Sequence, residues 1–101
     1  MKKNIAIIFG GKSTEHEISI LSAMQAMENM DREKYNLLPI YITKDGKWYY
    51  GEKLNKLSTY KNFNTKGLKE VAILPYDTNL YAKKLSGYKP MESIDCAFTI
   101  M

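Results

Sequence analysis

Residues 4–20, Asn4-Ile-Ala-Ile-Ile-Phe-Gly-Gly-Lys-Ser-Thr-Glu-His-Glu-Ile-Ser-Ile20, decide the fold class. The first six are apolar after Asn4, largely β-branched, and too few for a helix of ordinary length. A short continuous apolar run of this kind predicts a strand buried on both faces, as in a parallel sheet. Gly10-Gly11 stops it. Thr14 followed three residues later by Glu17 forms a capping box, with Ser13 as an alternative cap, and Glu15 and Glu17 suit the positive end of a helix dipole. A helix is predicted from Glu15 to Asn29. Its polar stripe would be Ser19, Ser22, Gln25 and Asn29. The remaining face, from Ile18 and Ile20 through Leu21, Ala23, Met24, Ala26 and Met27, is broad enough to meet a sheet and something further.

Downstream, Leu37–Thr43 (LLPIYIT) reads as the second strand, with Pro39 marking an edge or a bend. Strand, helix, strand makes a βαβ unit with a right-handed crossover. Asp45-Gly46 signals a turn, and Trp48–Tyr50 a short returning strand. Residues 51–70 are rich in lysine and asparagine, with a short helix around Glu52–Leu57. Val71–Pro75 reads as a strand, residues 77–79 as a turn, and Leu80–Leu85 as a strand pairing back in a hairpin. Gly87–Glu92 reads as a loop. Ser93–Met101 reads as a last buried strand that is still in progress where the sequence stops, so the chain reads as truncated. The expected class is α/β: a Rossmann-like domain with a mostly parallel sheet and a β-hairpin insertion.

Composition narrows the function. The chain has 101 residues, 45% hydrophobic and 26% charged, with a net charge of +4. That suits one globular domain. No apolar run approaches the ~20 residues that span a bilayer. The opening segment is too short for a signal-peptide core, so a cytoplasmic location and no membrane partner are expected. The basic excess lies in the second half. Tyr60 and Phe63 lie near these lysines, but no RNA-binding motif surrounds them, and a solvated surface loop is expected there instead. The single cysteine, Cys96, excludes an internal disulfide and reads as a small buried hydrophobe. One Cys and one His cannot close a zinc site.

The loop Gly10–Thr14 lies where α/β folds bind ligands, past a strand end and at a helix start. Paired glycines let a ligand approach the backbone. A phosphate-binding P-loop would need a further glycine at position 6, which is Ala6 inside the strand. A dinucleotide site would need spaced glycines, and these are adjacent. Recognition of a small amino-acid-like ligand remains, because a carboxylate at the mouth of the site can hold an ammonium group. For Glu17, helix capping is the preferred role. His16 reads as a partly exposed helix residue.

FGGKSTEHEIS, Phe9 to Ser19, resembles the amino-terminal signature of the D-alanine–D-alanine ligase family. Asp31-Arg-Glu-Lys-Tyr35 and Pro39–Trp48 look like the longer first domain of Gram-positive enzymes, a form shared with vancomycin-resistance ligases. Ile94–Met101 resembles the strand that leads into the family's His-Gly loop. The resemblance implies a pre-ATP-grasp domain covering residues 1–101, with the ATP-grasp domains lying beyond it. It implies ATP and magnesium or manganese ions as cofactors of the full-length enzyme, neither held by this domain, and D-alanine as substrate. It also implies a homodimer, a role in peptidoglycan precursor synthesis, and no activity of the fragment alone. Carried over by position, Glu15 is the catalytic-site acid that binds the first D-alanine's ammonium. Ile18 is the aliphatic neighbour of that substrate, and Gly10 and Gly11 form the loop that admits it. D-alanine–D-lactate and D-alanine–D-serine ligases remain alternatives within the family. A non-catalytic small-ligand module, or a surface-interaction protein using residues 51–70, remain alternatives outside it.

Overall fold

The computed structural model describes residues 2–12, 16–73, 79–84 and 87–100. It contains strands β1 (Lys3–Gly10), β2 (Tyr35–Ile42), β3 (Trp48–Tyr50), β4 (Lys69–Ile73), β5 (Asn79–Lys84), β6 (Gly87–Ser93) and β7 (Cys96–Ile100). One helix, α1 (His16–Asn29), and two 3-10 helices, Glu52–Asn55 and Leu57–Tyr60, complete the described elements.

The strands form one sheet in the order β6-β5-β4-β3-β2-β1-β7. β1 lies between β2 and β7 and is parallel to both. Every other ladder is antiparallel. The α/β class therefore stands, but the sheet is mixed. A three-strand parallel unit is extended by a four-strand meander, larger than the expected hairpin insertion.

β1 alternates between two cores. Ile5, Ile7 and Phe9 face α1, packing with Ile20, Ala23, Met27, Tyr41 and Leu54. Ala6 and Ile8 face the other way, packing with Ile40, Ile42, Val71 and Leu80 from β2 and the meander. The period-2 geometry of a strand makes this split, and it explains why the β1 run is apolar at every position.

Pro39 stands in β2 one residue before the segment that β3 accompanies, Ile40–Ile42. No ladder bond to β3 is demanded of it there, which fits the edge-like position that the sequence suggested. The Asp-Gly turn is also present: Gly46 N–H donates to the Thr43 carbonyl (2.9 Å) and Thr43 N–H to the Lys47 carbonyl (2.9 Å).

Several expectations change. Gly87–Ser93 is a strand, not a loop. It is mostly exposed and exists through its ladder with β5, not through an apolar pattern of its own. β7 is an edge strand with an exposed face, so Cys96 is exposed rather than buried. The stretch expected to form one short helix after Tyr50 holds two 3-10 turns. In α1 the buried residues are His16, Ser19, Ile20, Ala23 and Met27. Ser19 therefore leaves the expected polar stripe for the centre of the packed face, while Ile18 and Leu21 are turned outward. The Thr14–Glu17 capping box and the 77–79 turn involve residues outside those described.

Candidate functional site

The site is built where β1 ends and α1 begins. Gly10 and Gly11 both have left-handed φ values, 94° and 93°, which a residue with a Cβ rarely adopts. Gly10 has a second reason to be glycine. A Cβ there would lie 2.3 Å from the Ile42 carbonyl oxygen and 2.9 Å from Cε1 of Tyr41. The empty position lets β2 close against the loop, a packing role independent of any ligand.

The polar groups of this loop are tied to both neighbouring elements. Gly10 N–H donates to Ser19 Oγ (2.9 Å), and Gly11 N–H donates to the Ile42 carbonyl (2.8 Å). The Ser19 hydroxyl in turn donates to the Ile100 carbonyl at the end of β7. One buried serine thus fastens α1 to two strand ends. With their N–H groups engaged, the two glycines offer no cradle for a phosphate.

His16 is 4% exposed, the reverse of the expected partly exposed helix residue. Its Nδ1 lies 2.5 Å from the Gly11 carbonyl oxygen, and its Nε2 lies 2.6 Å from Tyr41 Oη. A carbonyl oxygen only accepts, so Nδ1 carries the proton. In the neutral ring Nε2 then accepts from the Tyr41 hydroxyl. Tyr41 also packs edge-on against His16, Tyr60 and Phe63, with ring centroids 5.4, 5.0 and 4.9 Å away. Tyr60 Oη donates to the Leu54 carbonyl (2.5 Å). Burial raises the pKa of Tyr41. Burial, and then the proximity of Tyr41, raises that of Tyr60. Both phenols remain protonated donors well into alkaline pH.

Beside this cluster is a cavity of about 420 Å³, with His16, Tyr41 and Tyr60 on its walls and Lys44 and Lys61 at its edges. A larger one, about 800 Å³, runs along the first half of β2 by Arg32, Tyr35 and Lys53, away from the glycine loop. The β2–β3 turn sits next to the loop. Lys12 and Lys47 add to a lowering of the Asp45 pKa whose main cause is a hydrogen bond from Thr43.

Of the residues singled out in the sequence, Gly10 and Gly11 are buried at the centre of this arrangement. Ile18 is 60% exposed on α1 and does not line the cavity beside His16. Glu15 lies outside the described residues. Among those described, no three His, Cys, Asp or Glu side chains gather as a metal site. His16, Ser19 and Tyr41 were missed as site residues. The one available signal was spacing: positions 16, 19, 20, 23 and 27 share one helix face.

Comparison with known proteins places this geometry among one set of enzymes. Residues 4–101 match the family model described as D-ala D-ala ligase N-terminus. A D-alanine–D-alanine ligase of Proteus mirabilis is 38% identical over 104 aligned residues, covering 99% of this chain and 28% of that protein. One from Thermosipho melanesiensis is 54% identical over 61 residues, 60% of this chain and 17% of the relative. Among solved structures, the VanG D-Ala:D-Ser ligase of Enterococcus faecalis superposes with a TM-score of 0.78 at 30% identity, covering 98% of this chain and 29% of that one. The D-alanine–D-alanine ligase of Coxiella burnetii gives 0.76 at 30%, covering 98% and 28%. The chain thus spans under a third of the length of these relatives.

Proposed function

Because the chain belongs to the D-alanine–D-alanine ligase family, at its amino-terminal part, we propose that it is the domain that receives the first D-alanine in an ATP-dependent ligase of peptidoglycan precursor synthesis. The observation that carries this reading is the match over residues 4–101, with the glycine loop held between β2 and α1 at its centre. In this reading Glu15 accepts hydrogen bonds from the substrate ammonium, Gly10 and Gly11 shape the entry, and exposed Ile18 offers an aliphatic contact. An ammonium held by a carboxylate stays protonated, and the substrate carboxylate is then presented in a fixed direction.

Among the described residues, the Gly10 and Gly11 amides are engaged and the acids do not cluster, so these residues do not fit ATP or a metal. ATP, with magnesium or manganese, therefore belongs in this reading to other domains of the enzyme, where it would activate the first carboxylate. A cytoplasmic, homodimeric enzyme completes the proposal. The likeness to the VanG ligase keeps D-serine open as second substrate. Product analysis with D-alanine alone, and with added D-serine or D-lactate, decides among them.

The direct test is Glu15→Gln in the protein expressed from its complete reading frame. Loss of one charge-assisted hydrogen bond, about 1.5–3 kcal/mol, predicts a ten- to hundredfold rise in KM for the first D-alanine and slower turnover. Unchanged kinetics would remove Glu15 from the site.

A further inference from the structure

We infer that His16 is the positioning residue of the first-substrate loop, and that it acts through the Gly11 carbonyl. The inference rests on the reading of Glu15 above and adds a second residue to it. Gly11 is gripped on both sides: its N–H by the Ile42 carbonyl of β2 and its C=O by the His16 ring of α1. The chain leaves Gly11, passes through residues 12–15 and returns at His16. A hydrogen bond between the two flanking residues therefore closes the span that contains Glu15. Bracketing a short span in this way removes conformational freedom that the substrate would otherwise have to quench on binding.

The rest of the arrangement serves that bond. A ring nitrogen can donate to Gly11 only if the proton sits on Nδ1. Tyr41, by donating to Nε2, selects this tautomer. The tyrosine is in turn held by Tyr60 and Phe63. A buried imidazole with both nitrogens occupied, beside a glycine with both backbone polar groups occupied, fixes Gly11 and His16 relative to each other. Packing alone would be served as well by an apolar residue at position 16.

Two near-isosteres separate the bonds. The amide nitrogen of asparagine falls close to Nδ1 of histidine, and that of glutamine close to Nε2. In the full-length protein, His16→Asn should keep KM for the first D-alanine within about threefold, because the Gly11 bond survives. His16→Gln should raise it about tenfold or more, because the bond is lost. Melting temperatures should fall by similar amounts in both, and KM for the second substrate should move in neither. If glutamine serves as well as asparagine, or better, the Gly11 tether is not what position 16 provides and the inference fails. The wild-type protein gives a readout that needs no stable variant. In ¹⁵N-histidine spectra, the signal assigned to His16 should show a proton on Nδ1, and a ring protonated at Nε2 alone overturns the inference. Glu15→Gln in the same series keeps the two readings apart. If it leaves the first KM unchanged while the Nδ1-protonated signal is present, the substrate assignment fails and the tether stands.

Discussion

The two faces of the sheet are built by different means. Ile7 and Ile8 are neighbours in β1 and both are buried, yet they enter different cores. The face toward α1 contains both buried polar residues found among those described, His16 and Ser19, each fully bonded. The face toward the meander is closed by aliphatic side chains, with Trp48 and Tyr50 packed at its border. Apolar burial is non-directional and fixes a layer without fixing a loop. Hydrogen bonds are directional, and a buried one that is broken leaves two groups without water. The polar fastening is concentrated where a backbone loop must be held in one place. The meander needs only to keep water from the other side of the sheet.

The sharpest way to break this contrast is to add one carbon to a glycine of the loop and to one in the connection that leads into β4. Gly10→Ala meets both a left-handed φ and the Ile42 carbonyl, and should destabilise the protein by about 2–5 kcal/mol. Gly67→Ala, just before β4, has φ +79° but nothing within 4 Å of the new carbon, and should cost about 1 kcal/mol. Urea unfolding of both variants measures the difference. Equal losses would mean that the glycine loop is no more tightly packed than the meander's connections.

Ser19→Ala comes next. It leaves the Gly10 N–H and the Ile100 carbonyl without their partner, a loss of about 1–3 kcal/mol. Most of the stability change should reflect those two orphaned groups, because the volume removed is small. Ser19→Cys, which keeps volume and a weak donor, should fall between wild type and alanine. If alanine is tolerated without loss, the fastening of α1 to the two strand ends contributes nothing, and the two faces are held alike.

This division also explains what could be read beforehand. β1, α1 and β2 announce themselves: an apolar run stopped by two glycines, a helix-start signal, and a second apolar run. The meander does not. β6 contains Gly87, Lys89, Pro90 and Glu92, and its pairing with β5 is irregular at Leu80/Tyr81. Its strand character comes from the partner, which no local pattern records. β7 has the composition of a core strand but sits at the sheet edge, so composition misplaced Cys96. At the site, the glycines were legible because their chemistry is local. The sequence suggests a partly exposed His16 and a Ser19 on the polar stripe because polar residues usually face solvent. Their burial depends on acceptors 5 and 81 residues away in the chain, the Gly11 and Ile100 carbonyls.

The smallest expected effect tests a polar contact within the meander. Lys83 on β5 stands opposite Glu70 on β4, one step along the ladder from the Val71–Ala82 pair, with Nζ 3.4 Å from Oε2. Both side chains reach solvent, at 53% and 34% exposure, so water screens the attraction and ordering two long chains offsets part of it. Lys83→Gln should change stability by less than about 1 kcal/mol at low salt. Even that should vanish in 1 M salt, where the screening length is about 3 Å. The loss from Ser19→Ala should persist at the same salt, because its bonds join uncharged groups and are buried or partly buried. A Lys83→Gln loss as large as that of Ser19→Ala, unchanged by salt, would mean that the meander is pinned by directional contacts after all. The contrast between a fastened face and a merely covered one would then have to be abandoned.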